Sequence, residues 1–243
     1  MDVITPAWPA PANIVARQTT RHGGTSIAPY ASLNLGLHVG DEAAVVEANR
    51  DTLRAALDLP NAPVWLEQVH GTQVLTLPSN NANRVADAVL TRTLGQVCAV
   101  MSADCLPVLF CDTAGTVVAA AHAGWRGLAG GVLEATLAAM AVDPAQVLVW
   151  LGPAIGPQHF EVGGEVRRAF MAATAQSESA FKPSGVEDKW LADLYQLARL
   201  RLQAAGVVHC YGGNYCTYNE SERFFSYRRD KTTGRMASLI WLE

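Results

Sequence analysis

Val97-Cys98-Ala99-Val100-Met101, Val108-Leu109-Phe110 and Val117-Val118-Ala119-Ala120-Ala121 follow one another along the chain with only short interruptions. Continuous apolarity of this kind, without polar alternate positions, predicts strands covered on both faces. Comparable runs lie at Ile14-Val15-Ala16, Val64-Trp65-Leu66, Val74-Leu75-Thr76-Leu77, Val147-Leu148-Val149-Trp150-Leu151 and Leu239-Ile240-Trp241. Between them, apolar residues return at helical spacing. Residues 42–59 carry Val46, Leu53, Ala56 and Leu57 on one stripe after Asp41, which predicts an amphipathic helix capped by that aspartate and stopped near Pro60. Residues 191–205 repeat the pattern with Leu191, Leu194, Leu197, Ala198, Leu202 and Ala205 ahead of Gly206, and shorter helices are expected at 128–141 and 165–173. Buried strands interleaved with helices define a mixed α/β class built on a large sheet system.

Composition agrees with a large core. Of the chain, 50% is hydrophobic and only 16% charged, against about 25% charged in an average soluble protein. No linker rich in proline, serine, glycine or charge divides the 243 residues, so a single domain over 1–243 is expected. The 18 lysines and arginines against 22 acidic residues leave a net charge of −4, and only Arg228, Arg229, Lys231 and Arg235 cluster. Nucleic acid is therefore not an expected partner. The opening Met1-Asp2-Val3-Ile4-Thr5-Pro6 lacks the features of a secretory signal, and no apolar run approaches the roughly 18 residues of a membrane span. The 5 cysteines form no C-x-x-C pair and suit thiols in a reducing compartment. A cytoplasmic protein with no membrane and no obligate protein partner is the expectation.

Three segments combine a strand end, a glycine or proline, and a potential metal ligand: Glu67-Gln68-Val69-His70-Gly71, Ser102-Ala103-Asp104-Cys105-Leu106-Pro107 and His122-Ala123-Gly124-Trp125-Arg126-Gly127. A ligand at the end of a buried strand is held by the sheet and still reaches a cleft. Two imidazoles and one thiolate form a known catalytic zinc set, with the fourth tetrahedral position left for water or substrate. The separations, 35 positions from His70 to Cys105 and 17 from Cys105 to His122, match no short zinc motif. Each residue alone reads better as structural, so only the coincidence of three such contexts carries the reading.

Two further segments suit anions. Thr19-Thr20-Arg21-His22-Gly23-Gly24 sets Arg21 beside a glycine pair, and Gly124-Trp125-Arg126-Gly127 sets Arg126 between glycines at a helix start. Either arginine could hold phosphate with two parallel bonds, and a tight turn with a solvated arginine explains each as well. Near the C-terminus, Phe225, Tyr227 and Arg229 alternate with Ser226 and Arg228, which predicts a strand with one polar face. Arg228 and Arg229 among these aromatics are candidate substrate contacts, whereas Lys231 and Arg235 read equally well as a basic surface turn.

Taken together, these segments resemble the YfiH-type proteins, long labelled polyphenol oxidase or laccase-domain proteins and now regarded as purine nucleoside phosphorylases. The match runs over almost the whole chain through Thr20-Arg21-His22-Gly23-Gly24, Ser32-Leu33-Asn34-Leu35-Gly36, Trp65 to Gly71, Ala86-Asp87-Ala88, Ala103 to Val108, His122 to Gly127, Gly152-Pro153-Ala154-Ile155-Gly156-Pro157 and Phe225 to Lys231. The resemblance implies a four-layer α/β/β/α sandwich and zinc on His70, Cys105 and His122. It also implies phosphorolysis of adenosine, inosine and S-methyl-5'-thioadenosine, with deamination of adenosine as a second activity. Asn34, Gln68 and Asp87 fall in its motifs and join Arg21, Arg228 and Arg229 as candidate substrate or phosphate contacts.

Phosphorolysis needs phosphate placed against the ribose and a donor for the departing purine, for which Arg21 and Arg126 are the expected phosphate holders. Deamination needs an activated water and a carboxylate that moves protons; Asp104, Asp87 and Glu67 are the carboxylates available. Neighbours in a strand face opposite ways, so a Cys105 directed into the cleft would turn Asp104 away from it, into a supporting role. Three alternatives stay open. Copper suits two imidazoles and a thiolate, although a four-copper centre would need on the order of ten imidazoles and the chain has 6 histidines. Cys105 with His122 could form a cysteine hydrolase. A fourth protein ligand, such as Cys111 or His38, would make the site a closed structural one.

Overall fold

The structure is a computed structural model that describes residues 1–79 and 82–243. Strands β1 (Val3–Ile4) and β2 (Ile14–Thr19) precede helix α1 (Ala43–Ala56). Then β3 (Val74–Leu77), β4 (Ala88–Thr91), β5 (Cys98–Ser102), β6 (Leu106–Asp112) and β7 (Val118–Ala123) run to helices α2 (Trp125–Gly130) and α3 (Val132–Met140). Beyond β8 (Val147–Leu151) come β9 (Glu161–Gly163), α4 (Gly164–Met171), β10 (Phe181–Pro183) and β11 (Lys189–Ala192). The chain closes with α5 (Leu194–Ala204), β12 (His209–Gly212), α6 (Tyr227–Asp230) and β13 (Met236–Leu242).

The strands form a six-stranded sheet in the order β12-β8-β6-β7-β4-β3, a four-stranded sheet β1-β2-β13-β5 and a small sheet β10-β11-β9. In the large sheet β12 runs parallel to β8 and β3 parallel to β4, while β6 pairs antiparallel with β7 and β8, which makes it mixed. The apolar runs follow from what lies on each side. Along β6, Leu106, Val108 and Phe110 pack with Leu133, Leu137 and Leu197 of the helices. The alternate residues Leu109 and Cys111 pack with Val100 and Ile240 of the four-stranded sheet. A third core joins Leu53 of α1 to Ala99, Leu239 and Trp241 on that sheet's other side. Both faces of the central strands are thus dry, and no polar alternation is possible.

Five expectations about local structure are corrected. Val64-Trp65-Leu66 makes only an isolated bridge, Val64 to Cys98, and no strand. Asp41 does not cap α1: Glu42 takes that position, and Asp41 instead accepts from Ser26 Oγ at 2.6 Å and Asn34 Nδ2 at 3.0 Å. The helix expected at 128–141 is broken in two by Gly131, whose φ of 101° lies in the region open to glycine. Leu191 belongs to β11, and α5 starts later because Asp193 caps it by accepting from Gln196 N at 3.0 Å. The polar-faced strand expected around Phe225 to Arg229 is instead the short helix α6, capped by Ser226. The five cysteines are all free thiols. Among the described residues no helix is long and apolar enough to cross a membrane.

Candidate metal centre

Cys105 lies one residue ahead of β6, and His122 is the penultimate residue of β7. Antiparallel pairing of those strands sets Leu106 opposite Ala123 and Pro107 opposite His122, so thiol and imidazole emerge from the same end of the sheet. His70 arrives from the loop ahead of β3. Gly124 makes room for the group: a Cβ there would stand 2.7 Å from His70 Cδ2 and 3.0 Å from Cys105 Sγ. The candidate ligand atoms of His70, Cys105 and His122 all lie within 4.8 Å of one another, and Sγ is 3.8 Å from His70 Nε2.

Asp87, fully buried just ahead of β4, organises two of the three. Its Oδ1 faces His122 Nδ1 at 2.9 Å and accepts from His70 N at 2.9 Å, while Oδ2 accepts from Gly71 N at 2.6 Å and Val69 N at 3.1 Å. His70 adopts a φ of 61° so that three successive amides converge on one carboxylate. That conformation costs a non-glycine residue about 1–2 kcal/mol, which the charge-assisted hydrogen bonds offset. Burial alone would raise the Asp87 carboxyl, but the bonds from His122, Gly71 and Val69 outweigh it and hold the group below the ordinary carboxylate range. With Nδ1 engaged by Asp87, His122 keeps Nε2 for an ion, the tautomer arrangement usual for metal-binding imidazoles.

Burial also works against charge on Cys105 and His122, yet their proximity prevails. The His122 and His70 rings bring the Cys105 thiol down to about 6, and Cys105 with Asp87 brings the His122 imidazole up to about 9. A cation placed between them takes over the role of that proton and favours the thiolate a metal needs. The donor set therefore fits a soft-to-borderline ion. Bond lengths of about 2.0–2.3 Å in a tetrahedron place donors roughly 3.3–3.6 Å apart, so donors that lie within 4.8 Å of one another close the triangle by an inward movement on the order of 1 Å. Cys111 does not join the group: it is buried near the far end of β6, where burial and Asp112 push its thiol up to about 12. Among the described residues this is the one cluster of three or more such side chains.

The three ligands face a cavity of about 400 Å³ whose wall also includes His38, Gln68, Ser102, Tyr227 and Arg235. That volume lies within the usual 300–1,000 Å³ of small-molecule sites. Ser102 Oγ is buried there with no hydrogen-bond partner. Gln68 lines the wall, but its amide is committed to β5, donating to Met101 O and accepting from Met101 N, both at 2.8 Å.

The other residues singled out from the sequence lie elsewhere. Arg21 donates to Ala31 O at 3.0 Å and Ser221 O at 2.9 Å and covers the Phe225 ring, outside the cavity. Arg126 is exposed on α2, its guanidinium 4.4 Å from the centre of the Trp125 ring. Arg228 donates to Glu161 O, and Arg229 spends its donors on Thr217 O, Tyr218 O, Phe224 O and Asp230. Asn34 Oδ1 accepts from Gly36 N at 3.0 Å and Arg235 N at 2.9 Å, which fixes the backbone around Gly36 against the start of β13. Asp104 does turn away from the cavity, but through a turn with φ of 91° rather than through strand alternation. Its carboxylate accepts from Thr217 Oγ1 and Arg228 N, both at 2.6 Å. Glu67 and Asp87 do not line the cavity either, and among the described residues no carboxylate does. Sequence reasoning passed over Ser102, Tyr227 and Arg235 as site residues, and weighed His38 only as a fourth ligand, whereas it lines the cavity outside the ligand group. The signal for Arg235 was its place in the one basic cluster of the chain.

A mixed α/β core that carries an imidazole and a thiol at strand ends and a second imidazole on the loop ahead of β3, open on one side to a cavity, defines a protein with a candidate metal site of the catalytic type. A sequence family described as multi-copper polyphenol oxidoreductase laccase matches residues 15–243. Purine nucleoside phosphorylase YfiH of Escherichia coli (strain K12) is 61% identical over 241 residues, covering 99% of this chain and 98% of that protein. A purine nucleoside phosphorylase of Pseudomonas aeruginosa is 55% identical over 240 residues, again covering 99% and 98%. The crystal structure of a Neisseria meningitidis protein of the DUF152 family superposes with a TM-score of 0.96 at 52% identity over 100% of both chains. The chain belongs to this YfiH-type family.

Proposed function

We propose that the protein is a zinc-dependent purine nucleoside phosphorylase. It takes adenosine, inosine and S-methyl-5'-thioadenosine with phosphate to the free base and the sugar 1-phosphate, and it deaminates adenosine as a second activity. The observation that carries this reading is the three-donor group opening onto a cavity of nucleoside size. The names of the relatives, which are purine nucleoside phosphorylases, supply the reaction class. A bound ion would supply Lewis acidity and an activated water. The protein's own part is to hold the ion through His70, Cys105 and His122, with Asp87 orienting the His122 ring and fixing the backbone at His70. With no carboxylate in the wall, proton transfer falls to His38, whose imidazole is lowered by burial and by Arg235 and Arg50 and is therefore a neutral acceptor at pH 7. The enzyme acts in the cytoplasm.

Copper in the same donors is the second reading, favoured by the description of the matching family. The 6 histidines of the chain cannot furnish a multi-copper centre, so that reading reduces to one copper ion. Elemental analysis of purified protein, beside an assay for phosphate-dependent release of hypoxanthine from inosine, tests both. Zinc near one equivalent with base release only when phosphate is present is expected. Copper with catechol oxidation and no base release would overturn the proposal. Turnover of a metal-free preparation would favour a hydrolase that uses the Cys105 thiol.

A further inference from the structure

The metal cavity has a neighbour. A second chamber of about 350 Å³ shares His38, Tyr227 and Arg235 with it and adds Lys231, Thr232 and Thr233. Lys231 Nζ and the Arg235 guanidinium both lie over the Tyr227 ring, 6.0 and 5.9 Å from its centre. Among the described residues no carboxylate lines this chamber, and neither cation has an ion pair. The nearby acids are engaged elsewhere: Asp230 holds Arg229 at 2.9 Å, and Asp104 holds Thr217 and the Arg228 amide. Arg235 gives Nη1 to Thr233 O at 3.1 Å and Gly234 O at 3.0 Å, which leaves Nε and Nη2 without a partner among the described residues. Thr233 is 1% exposed, and its hydroxyl has no partner.

The backbone adds an independent sign. Lys231 has φ 62° and ψ −64°, and Thr232 N donates to Asp230 O at 2.7 Å, which is a γ-turn of the rare, strained kind. Glycine would be relaxed at that position. What Lys231 contributes there is therefore its ammonium group, not its backbone.

Two unpaired cations and an unsatisfied hydroxyl around one chamber call for an anion with several acceptor oxygens. We propose that the chamber is an oxyanion subsite that seats a phosphate group beside the metal cavity, with Lys231 and Arg235 supplying charge and Thr232 and Thr233 supplying hydroxyl donors. The inference rests on the phosphorylase reading for one of its two sources, inorganic phosphate; the 5'-phosphate of a nucleotide is the other. It moves the phosphate site away from Arg21 and Arg126.

The test is calorimetric titration of the metal-loaded, full-length protein with inorganic phosphate in the absence of nucleoside, and separately with inosine 5'-monophosphate. In the parent, inorganic phosphate binds. Lys231→Gly removes one charge-assisted partner and weakens that binding about tenfold or more, while its melting temperature is unchanged or higher because the γ-turn relaxes. Thr233→Val, of nearly the same shape, weakens phosphate by about threefold or more without losing the metal. Equal phosphate binding in parent and Lys231→Gly, or no binding of either ligand by the parent, overturns the subsite. Lys231-dependent binding of inosine 5'-monophosphate alone sustains the subsite and overturns phosphorolysis. Lys231-dependent phosphate binding by a preparation that releases no base does the same.

Discussion

Asp87 and His122 meet twice: the His122 amide donates to Asp87 O at 2.7 Å, and His122 Nδ1 faces Asp87 Oδ1 at 2.9 Å. Because the same carboxylate gathers the amides of Val69, His70 and Gly71, one side chain orients the His122 ring and fixes the backbone that carries His70. Asp87→Asn keeps the shape but loses the charge and one acceptor, so metal affinity should fall by roughly 10–100-fold, as is usual for partners of metal-bound histidines. Competition against a chelating dye measures it. Parent-like affinity in the variant would mean that the strands alone orient the ligands.

Gly124 tests the site by crowding. Its φ of −61° is open to any residue, so alanine brings no backbone strain, yet the added methyl would stand 2.7 Å from His70 Cδ2 and 3.0 Å from Cys105 Sγ. Gly124→Ala is expected to displace the His70 ring and to cut metal occupancy and turnover together, with the melting temperature of the metal-free protein little changed. Full occupancy in the variant, determined by elemental analysis, would show that the ion binds elsewhere.

Arg21 separates a structural arginine from a phosphate holder. Arg21→Lys keeps a charge but gives up the forked geometry that joins Ala31 O to Ser221 O. At about 1 kcal/mol for each hydrogen bond, the loss should be roughly 2 kcal/mol, read from a denaturant midpoint, with the KM for phosphate unchanged. A raised phosphate KM at parental stability would return Arg21 to the binding site.

Asp112 gives the acid limb of stability. Burial raises its carboxyl, but Thr116 Oγ1 at 2.6 Å, Thr116 N at 2.7 Å and Val117 N at 3.1 Å outweigh that and lower it. A group depressed in the folded state contributes stability above its unfolded value of about 3.9 and loses it as pH falls through the folded value. Asp112→Asn should therefore cost about 1–3 kcal/mol at neutral pH and flatten the fall in stability below about pH 4. Urea unfolding from pH 7 to 3 checks this, and a variant with the parent's acid slope would place the effect on other carboxylates.

The fold was legible where burial is uniform. The runs at Val97, Val108, Val117 and Val147 are strands because both faces of those positions are dry, and that condition is written in composition alone. Helix ends were less legible, since Leu191 continues the α5 stripe by coincidence and only the Asp193 cap separates strand from helix. At α6 the aromatic alternation is genuine, but four residues are too few for a period to show, and Ser226 was the readable sign. In the site, His70, Cys105 and His122 stood out because a glycine or proline follows each closely; Cys105 and His122 do sit at the ends of β6 and β7, whereas His70 lies on the loop ahead of β3 and not at the strand end expected for it. Arg21 and Arg229 are less legible for the opposite reason: their hydrogen bonds go to carbonyls such as Ser221 O and Thr217 O, which no local pattern reveals. Arg235 carries its meaning only through the cavities it borders.

One metal site should serve both proposed reactions. Of the histidines outside the ligand set, His22 meets Glu222 O, His159 stacks on Tyr218 with ring centres 4.5 Å apart, and His209 lies on the edge strand β12. Only His38 borders the metal cavity, and it is not in the ligand group. Among the described residues a separate deaminase centre thus has no second ligand cluster to occupy. A shared site requires inosine to inhibit adenosine deamination competitively, with an inhibition constant equal to its KM in phosphorolysis. His70→Ala and Cys105→Ala should abolish deamination, because that reaction depends on the water a metal activates. Phosphorolysis should fall less steeply, since part of its acceleration comes from placing phosphate and nucleoside together, which the remaining walls still do. Both rates are to be followed on one preparation of each variant, with metal content determined alongside. A variant stripped of metal that deaminates adenosine at the parental rate would assign the second activity to another site or to a contaminant.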